Sequence, residues 1–491
     1  MVTSGHLPKG LALLRAKVAS SILRVLRIEG SSMIKITKFG GSSVSSAGQF
    51  KKVKAIVQAD PSRRFVVVSA AGKRDKFDSK ITDLLYLVNA HLQYHVTCDD
   101  LLGTIGQRFC EIAKELNLSY PISHEFGIFR ELAKRGEYTP EYIVSRGEYF
   151  TGRMMAEYLG FPFVDAADVI TFRADSSIDM DKTSEKLKAA IGEEKCFVLP
   201  GFYGATEDGK IKLLDRGGGD ITGAIVAQGL GADLYENWTD VSGFLTADPR
   251  IVDNPKSISR ITYAELRELS YMGASVLHEE AIFPVKDAGI PLVIKNTNAP
   301  DDPGTVISEE TEPGVAEPLI TGIAGKKDFV AIHVKTNHMS SKVGYIRKTL
   351  SIFERYRVSI EHIPTGIDSF AVVVQGSDVK DCLYSIVADI KSELEPDEIK
   401  IVDRLALIST VGRNMPSRPG TSGRLFGELG HAGINIRMIA QGSEEFDIIA
   451  GVNDEDFERA IRVIYEAFVD SEDNVITVEE LEEKGSFHEV V

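Results

Sequence analysis

Two stretches of the same design, remote from each other in the chain, restrict the folds open to this sequence. Residues 34–50 read I-K-I-T-K-F-G-G-S-S-V-S-S-A-G-Q-F, with apolar Ile34 and Ile36 alternating with Lys35 and Thr37 before the break at Gly40-Gly41. That alternation is a strand signal, and the later spacing of Phe50, Val53 and Val57 is one face of a helix. A strand, a glycine turn and a helix start aim several backbone N–H groups at one point, with the positive end of a helix dipole behind them. Phosphate is the usual occupant of such a place. Lys38 stands just before the turn, where its ammonium would cover the same anion. A bare strand–helix connection, with lysine for solubility, accounts for one such turn. The pattern recurs, however, as Ile211–Leu214, then Asp215-Arg216-Gly217-Gly218-Gly219-Asp220, then a helical run from Ile221 to Leu230. Two in one domain point to phosphate.

The surrounding chain reads as alternating strands and helices. Phe65–Ala71 (F-V-V-V-S-A-A) is a buried parallel strand by its unbroken apolar run. Leu84–Leu132 and Ser145–Leu159 carry helical spacing, and Ile81-Thr82-Asp83 reads as a capped helix start. Phe161–Val164, Cys196–Leu199, Ala232–Trp238 and Pro291–Ile294 supply further strands, and Asp208-Gly209 is a hairpin signal between 196–199 and 211–214. This is an α/β domain with a mainly parallel sheet sandwiched by helices, and its ligands belong beyond the carboxyl ends of the strands. The prolines between Asn298 and Pro318 mark a boundary. Beyond it a β-α-β-β-α order appears twice: Val358–Ile363 and Phe370–Gln375 recur as Ile434–Ile439 and Phe446–Val452 at an offset of 76 residues. Each unit is a small ferredoxin-like α+β sheet covered by helices. The expected domains are 33–308, 319–396 and 400–475, with 476–491 returning to the region of the two C-terminal repeats.

A length of 491 residues calls for several domains, and a net charge of −16 argues against nucleic acid or an anionic membrane as a partner. Cys98, Cys110, Cys196 and Cys382 are scattered, as thiols of a reducing compartment are. Residues 1–32 are basic and amphipathic, with no acid before Glu29. They suit an organelle-targeting peptide, a surface helix, or sequence translated ahead of a start at Met33; the last is favoured, because a strand begins directly after Met33.

No P-loop, G-x-G-x-x-G or protein-kinase signature is present. Instead Lys38-Phe39-Gly40-Gly41-Ser42-Ser43, Ser145-Arg146-Gly147-Glu148, Arg216-Gly217-Gly218-Gly219-Asp220 and Trp238-Thr239-Asp240-Val241 through Asp248-Pro249-Arg250 resemble the motifs of aspartate kinases. The two C-terminal units resemble that family's paired ACT domains. The resemblance runs from Met33 to the end, with no fused dehydrogenase, and implies a monofunctional enzyme of the amino acid kinase superfamily. The implied reaction is ATP plus L-aspartate giving ADP and 4-phospho-L-aspartate, the first step towards lysine, threonine and methionine. By resemblance Lys38 and Asp220 are catalytic. Lys38, Gly40, Gly41, Ser42, Ser43, Thr239, Asp240 and Arg250 would bind ATP, while Thr82, Glu148 and Arg216 would bind aspartate. Magnesium would arrive with ATP, without a dedicated protein metal site. Bland roles exist for several of these: Arg216 as a surface cation, Glu148 as a helix-start acid, Thr82 as an N-cap. His278 and Trp238 read as structural.

The resemblance further implies an amino-acid effector, lysine or threonine, and a cytoplasmic homodimer or higher oligomer built through the ACT domains, with no nucleic acid or membrane. Met339, Gly344, Tyr345 and Ile346 would receive the effector's carboxylate, and Ser359, Ile360 and Glu361 its amino end. The corresponding place in the second unit (Asn414, Asn435, Ile436) competes with a purely dimer-building role. Gly219, Leu245 and Ser275 depart from residues common in the family, and the segment Lys73–Lys80 reads as an insertion. A glutamate-type amino acid kinase and a catalytically inactive amino-acid sensor are the alternative readings.

Overall fold

The computed structural model describes residues 33–471 apart from 194, 216, 275–276, 278–282, 310–316 and 443–445, together with 475–476. Residues 1–32, Arg216, Ser275, His278 and the end of the chain from 477 therefore lie outside the described residues. The chain divides into two compact units, one holding residues up to 241 together with 280–302, the other 242–279 together with 303 onward. The expected catalytic domain of 33–308 thus does not coincide with the first unit, since segments 242–279 and 303–308 group with the C-terminal one.

The first unit is built on five parallel strands: β1 (Lys35–Phe39), β2 (Phe65–Val68), β3 (Phe197–Pro200), β4 (Leu234–Thr239) and β5 (Leu292–Asn296), in the order β3-β2-β1-β4-β5. The chain winds outward from β1 in both directions. Such a reversal leaves a crevice beyond the carboxyl ends of the central strands. Burial on both faces explains the F-V-V-V composition of β2, whose four residues are all buried. Helices α1 (Ala47–Ala59), α2 (Ile81–Gln93), α3 (Asp99–Glu115), α4 (Ile122–Lys134) and α5 (Pro140–Leu159) share one core cluster with Phe39, Val66, Val68 and Val198 from the sheet. Helix α6 (Gly218–Leu230) packs on β1, β2 and β4.

Local details differ from the sequence expectations in instructive ways. The Gly40-Gly41 bend passes first into a 3-10 turn, Gly41–Val44, before α1 begins behind its Ser46 cap. Helix α5 starts at Pro140 behind Thr139, so Ser145–Glu148 lies in its interior rather than at its start. The Asp208-Gly209 hairpin joins Tyr203–Thr206 to Ile211–Leu213, while the 196–199 region is spent on β3 in the main sheet. Phe161–Val164 contributes only a single bridge, Phe163 to Val198.

In the second unit, one antiparallel sheet carries both expected repeats. Strands β6 (Gly322–Lys335), β7 (Ser369–Gln375), β8 (Glu398–Val411), β9 (Met438–Gln441) and β10 (Asp447–Asn453) lie in the order β7-β6-β8-β10-β9. Both β6 and β8 run 14 residues and pair along their length through irregularities near Phe329. Two cores form beneath this shared sheet. One joins Val330, Ile332 and Val334 to Ile352, Phe353 and Ile386; the other joins Ile320, Ile323 and Ile408 to Leu425, Ile461 and Phe468. Residues 319–323 therefore belong with the second core, and the strand that begins at Glu398 serves both, pairing with β6 through 398–402 before running on to Val411. Val358–Ile363 is extended but forms only the His362–Val373 bridge. Val475–Ile476 pairs with Glu317–Pro318.

Candidate active site

Parallel pairing sets Lys38 of β1 directly beside Asn237 of β4. Lys38 is buried, and its ammonium forms an ion pair with Asp220 in the first turn of α6. The ammonium also lies 3.4 Å from Asn237 Oδ1, while Asn237 Nδ2 donates to Asp220 Oδ1 at 2.9 Å. The two glycine turns thus converge on one lysine. A Cβ placed on Gly219 would come within 3.4 Å of Lys38 Cε, and one on Gly40 within 3.5 Å of its Nζ.

Which amides remain to hold an anion follows from the backbone hydrogen bonds. The Gly40 N–H donates to Trp238 O at 2.8 Å and the Ser43 N–H to Gly40 O at 3.0 Å. The Ser43 hydroxyl is buried against Thr297 Oγ1 at 2.7 Å and Trp238 O at 3.4 Å. Gly40 and Ser43 therefore build the turn, and the expected four-residue cradle narrows to the N–H groups of Gly41 and Ser42. Both lack a partner among the described residues. Across the site, Gly218 and Gly219 likewise keep their N–H groups at the start of α6, behind Gly217 at φ 83°. Four amides and an ammonium make a strongly anion-attracting pocket.

The floor comes from the segment after β2, which sequence reasoning did not assign to the site. Ser69 N–H donates to Phe39 O, and Gly72 N–H donates to Gly41 O at 2.8 Å. A Cβ on Gly72 would stand 2.5 Å from Gly41 C and 2.7 Å from Ser42 N, so only glycine fits there. A Cβ on Gly219 would meet Ser69 Oγ at 2.6 Å. The Ser69 hydroxyl thus occupies the space where a serine at 219 would grow. The signal available was the switch to small residues after F-V-V-V, which marks a close backbone approach. Arg108 of α3, buried, fastens the 72–79 loop through Gly72 O at 2.5 Å and Ser79 O at 2.6 Å.

Glu148 projects from the middle of α5 and is fully buried, accepting the Ala70 N–H, while its Oε2 has no hydrogen-bond partner. Burial pushes its pKa from 4.5 up to about 8, so at neutral pH it is mainly the neutral acid. It is no helix-start acid. Thr82 is half-buried in the first turn of α2, one residue past Ile81, whose N–H donates to Ala71 O. The N-cap there is Lys80, without a side-chain cap, so Thr82 is not capping. Thr239 ends β4 and Asp240 follows, exposed. Arg250, in the other unit, is exposed and bonded to Asp248. Arg216 lies outside the described residues. No cluster of three or more His, Cys, Asp or Glu suited to a metal occurs among the described residues. No described helix is long and apolar enough to cross a membrane.

In the C-terminal unit, Met339 sits in a 3-10 turn, Gly344 (φ 77°) caps the helix Tyr345–Arg355, and Met339 and Tyr345 share a core against which Ile346 and Ile360 pack. Ser359 is exposed. Glu361 Oε2 accepts the Tyr271 hydroxyl at 2.6 Å. Asn414 donates to Pro318 O at 3.2 Å, while Asn435 is exposed and Ile436 packs against the second core.

A doubly wound parallel sheet with a lysine–aspartate pair between two glycine-amide clusters is the architecture of a small-molecule phosphotransferase that uses no P-loop. The comparisons agree: a sequence model of the amino acid kinase family matches residues 33–296, and one of the ACT domain matches 408–468. Aspartokinase 3 of Bacillus subtilis is 35% identical over 449 residues, which cover 89% of this chain and 98% of the relative. The crystal structure of Clostridium acetobutylicum aspartate kinase superposes with a TM-score of 0.83 at 48% identity, over 89% of this chain and 100% of that one. Escherichia coli aspartokinase III matches at 25% identity both in complex with aspartate and ADP (TM-score 0.68, 88% of this chain, 99% of that one) and in complex with lysine and aspartate (0.69, 89% and 99%). The chain belongs to the amino acid kinase family, and within it to the aspartokinases.

Proposed function

We propose that the chain transfers the γ-phosphoryl group of ATP to the side-chain carboxylate of L-aspartate, giving ADP and 4-phospho-L-aspartate. The observation that carries this reading is the Lys38–Asp220 pair standing between the free amides of Gly41 and Ser42 and those of Gly218 and Gly219. A carboxylate acceptor is already ionised at neutral pH, so the reaction needs no general base. Its barrier is the approach of two anions, and catalysis is chiefly positioning and charge neutralisation. Lys38 supplies a cation at the transferring group, the four amides receive phosphate oxygens, and Asp220 holds the lysine in place. Magnesium arrives on ATP and rests mainly on phosphate oxygens and water; the Asp220 Oδ2 atom, without a partner among the described residues, is the protein oxygen best suited to its shell.

Glu148 is assigned to the aspartate ammonium, Arg216 to a carboxylate, and Thr82 to a hydroxyl contact. Thr239, Asp240 and Arg250 are assigned to the nucleotide. Lysine is proposed as the effector, because aspartokinase III of E. coli was crystallised with it in a T-state. Met339, Gly344–Ile346 and Ser359–Glu361 would hold it, and the ACT sheet would pair two copies of the chain. Inhibition then requires lysine to bind the inactive arrangement more tightly than the active one.

Coupled measurement of ADP release with aspartate, glutamate and N-acetylglutamate tests the reading. Aspartate-dependent turnover that falls on titration with lysine supports it. Turnover with another acceptor alone, or none, refutes it.

A further inference from the structure

We propose that Asn237 is a positioning residue for phosphoryl transfer, fixing which side of the Lys38 ammonium faces the phosphoryl group; the inference rests on the phosphotransfer reading above. Asn237 is buried in the centre of a parallel sheet, where an amide must be hydrogen-bonded or destabilise the fold. Its two ends serve the two members of one ion pair. The Nδ2–H donates to Asp220 Oδ1 at 2.9 Å, and the carbonyl Oδ1 accepts from Lys38 Nζ at 3.4 Å. An ammonium carries three N–H groups in fixed tetrahedral directions. One bonds Asn237 while the ion pair with Asp220 covers a second side of the ammonium, so the two neighbours together set which side stays open, and that side meets no partner among the described residues. Gly40 has no side chain to crowd that ammonium, since even a Cβ there would stand 3.5 Å from Nζ.

The amide's neutrality matters as much as its geometry. A lysine held by Asp220 alone can still rotate about its last bond. A second carboxylate would stop the rotation but would leave the group net negative, because Asp220 already balances the ammonium, and would repel the incoming phosphoryl group. An amide stops it and leaves the charge in place. It also engages Asp220 Oδ1, so that carboxylate cannot swing away when a phosphate competes for Lys38. The competing explanation is a satisfied core amide that only holds β4 to α6.

Kinetics of Asn237→Leu and Asn237→Asp in the full-length enzyme separate the two, with the parent measured alongside. Asn237→Leu keeps the volume but frees the Lys38 rotor; kcat is expected to fall roughly tenfold, with KM for ATP and for the acceptor within about twofold of the parent. Asn237→Asp keeps an acceptor for Lys38 but turns the balanced Lys38–Asp220 pair net negative, and is expected to cost more in kcat, on the order of a hundredfold. A folded Asn237→Leu with kcat within twofold of the parent overturns the proposal. So does a loss confined to KM or to melting temperature. Should Asn237→Leu fail to fold, the isosteric Asn237→Asp decides alone, and a parent-like kcat in it is fatal. The comparison runs on whichever acceptor the parent phosphorylates, so a wrong acceptor would sink the functional reading without touching this one.

Discussion

Replacing Glu148 by glutamine isolates the most unusual electrostatic feature of the first unit. The carboxyl is fully buried, one oxygen has no partner, and its pKa is about 8 against 4.5 for an ordinary glutamate. At pH 7 only about one molecule in eleven carries Glu148 as the anion. If the aspartate ammonium binds that anion, the proton must leave first, at a cost of about 1.4 kcal/mol at pH 7 and almost nothing at pH 9. The KM for aspartate at saturating MgATP should therefore fall about tenfold between pH 7 and pH 9, and Glu148→Gln should abolish that dependence while raising KM throughout. The stability linkage has the opposite sense. A folded-state pKa raised above the unfolded value favours the protonated native state. The stabilisation is complete below about pH 4.5 and declines by about 1.4 kcal/mol per pH unit as pH rises from there to about 8. Urea titrations at pH 5.5, 6.5 and 7.5 should show this slope in the parent and not in Glu148→Gln. Parallel pH profiles of KM in the two proteins would refute the assignment to the ammonium; equal stability slopes would refute the buried acid itself.

Lys38→Ala should lower kcat by at least about a thousandfold, with circular dichroism and melting close to the parent; ADP release with aspartate checks it, and parent-like turnover would remove the lysine from catalysis. Gly72→Ala drives a Cβ into the backbone of Gly41 and Ser42, so the amide pair must shift, and calorimetric ATP affinity should drop by more than about tenfold. In the C-terminal unit, the fully buried carboxylate of Glu265 receives Thr262, Thr321 and Arg413, the last at 2.6 Å through Nη1. Glu265→Ala removes the buried acceptor shared by Thr262, Thr321 and Arg413 and should destabilise that unit by roughly 3–5 kcal/mol in denaturant titrations.

How much of this was legible beforehand depended on the range of the interaction involved. Strand β2 could be read because burial on both faces writes itself into an unbroken apolar run, and Lys38-Phe39-Gly40-Gly41 because a glycine pair closing an alternating run marks the end of a strand. What demands glycine at 41, however, is the close approach of Ala70 O from the next strand's end. The hairpin was misread for the converse reason: Asp208-Gly209 announces a reversal but not which upstream segment returns, and β2 claims 197–200 for the main sheet. Asn237 and Ser69 were passed over because neither is remarkable next to its neighbours in sequence. Only a polar residue inside a strand otherwise fit for burial, and a run of small residues after one, hinted at them.

The sequence by itself determined where the two glycine turns fall, the basic residue before the first and the acid inside the second, since the end of an apolar run, a glycine cluster and a charge are local features. Of these glycines Gly217, at φ 83°, answers a local demand of the backbone. What the tertiary structure alone decided is that these turns face each other across one lysine, and which of their amides stay open to a ligand. That choice follows from strand order, β1 lying between β2 and β4, and no spacing along the chain encodes which strands become neighbours.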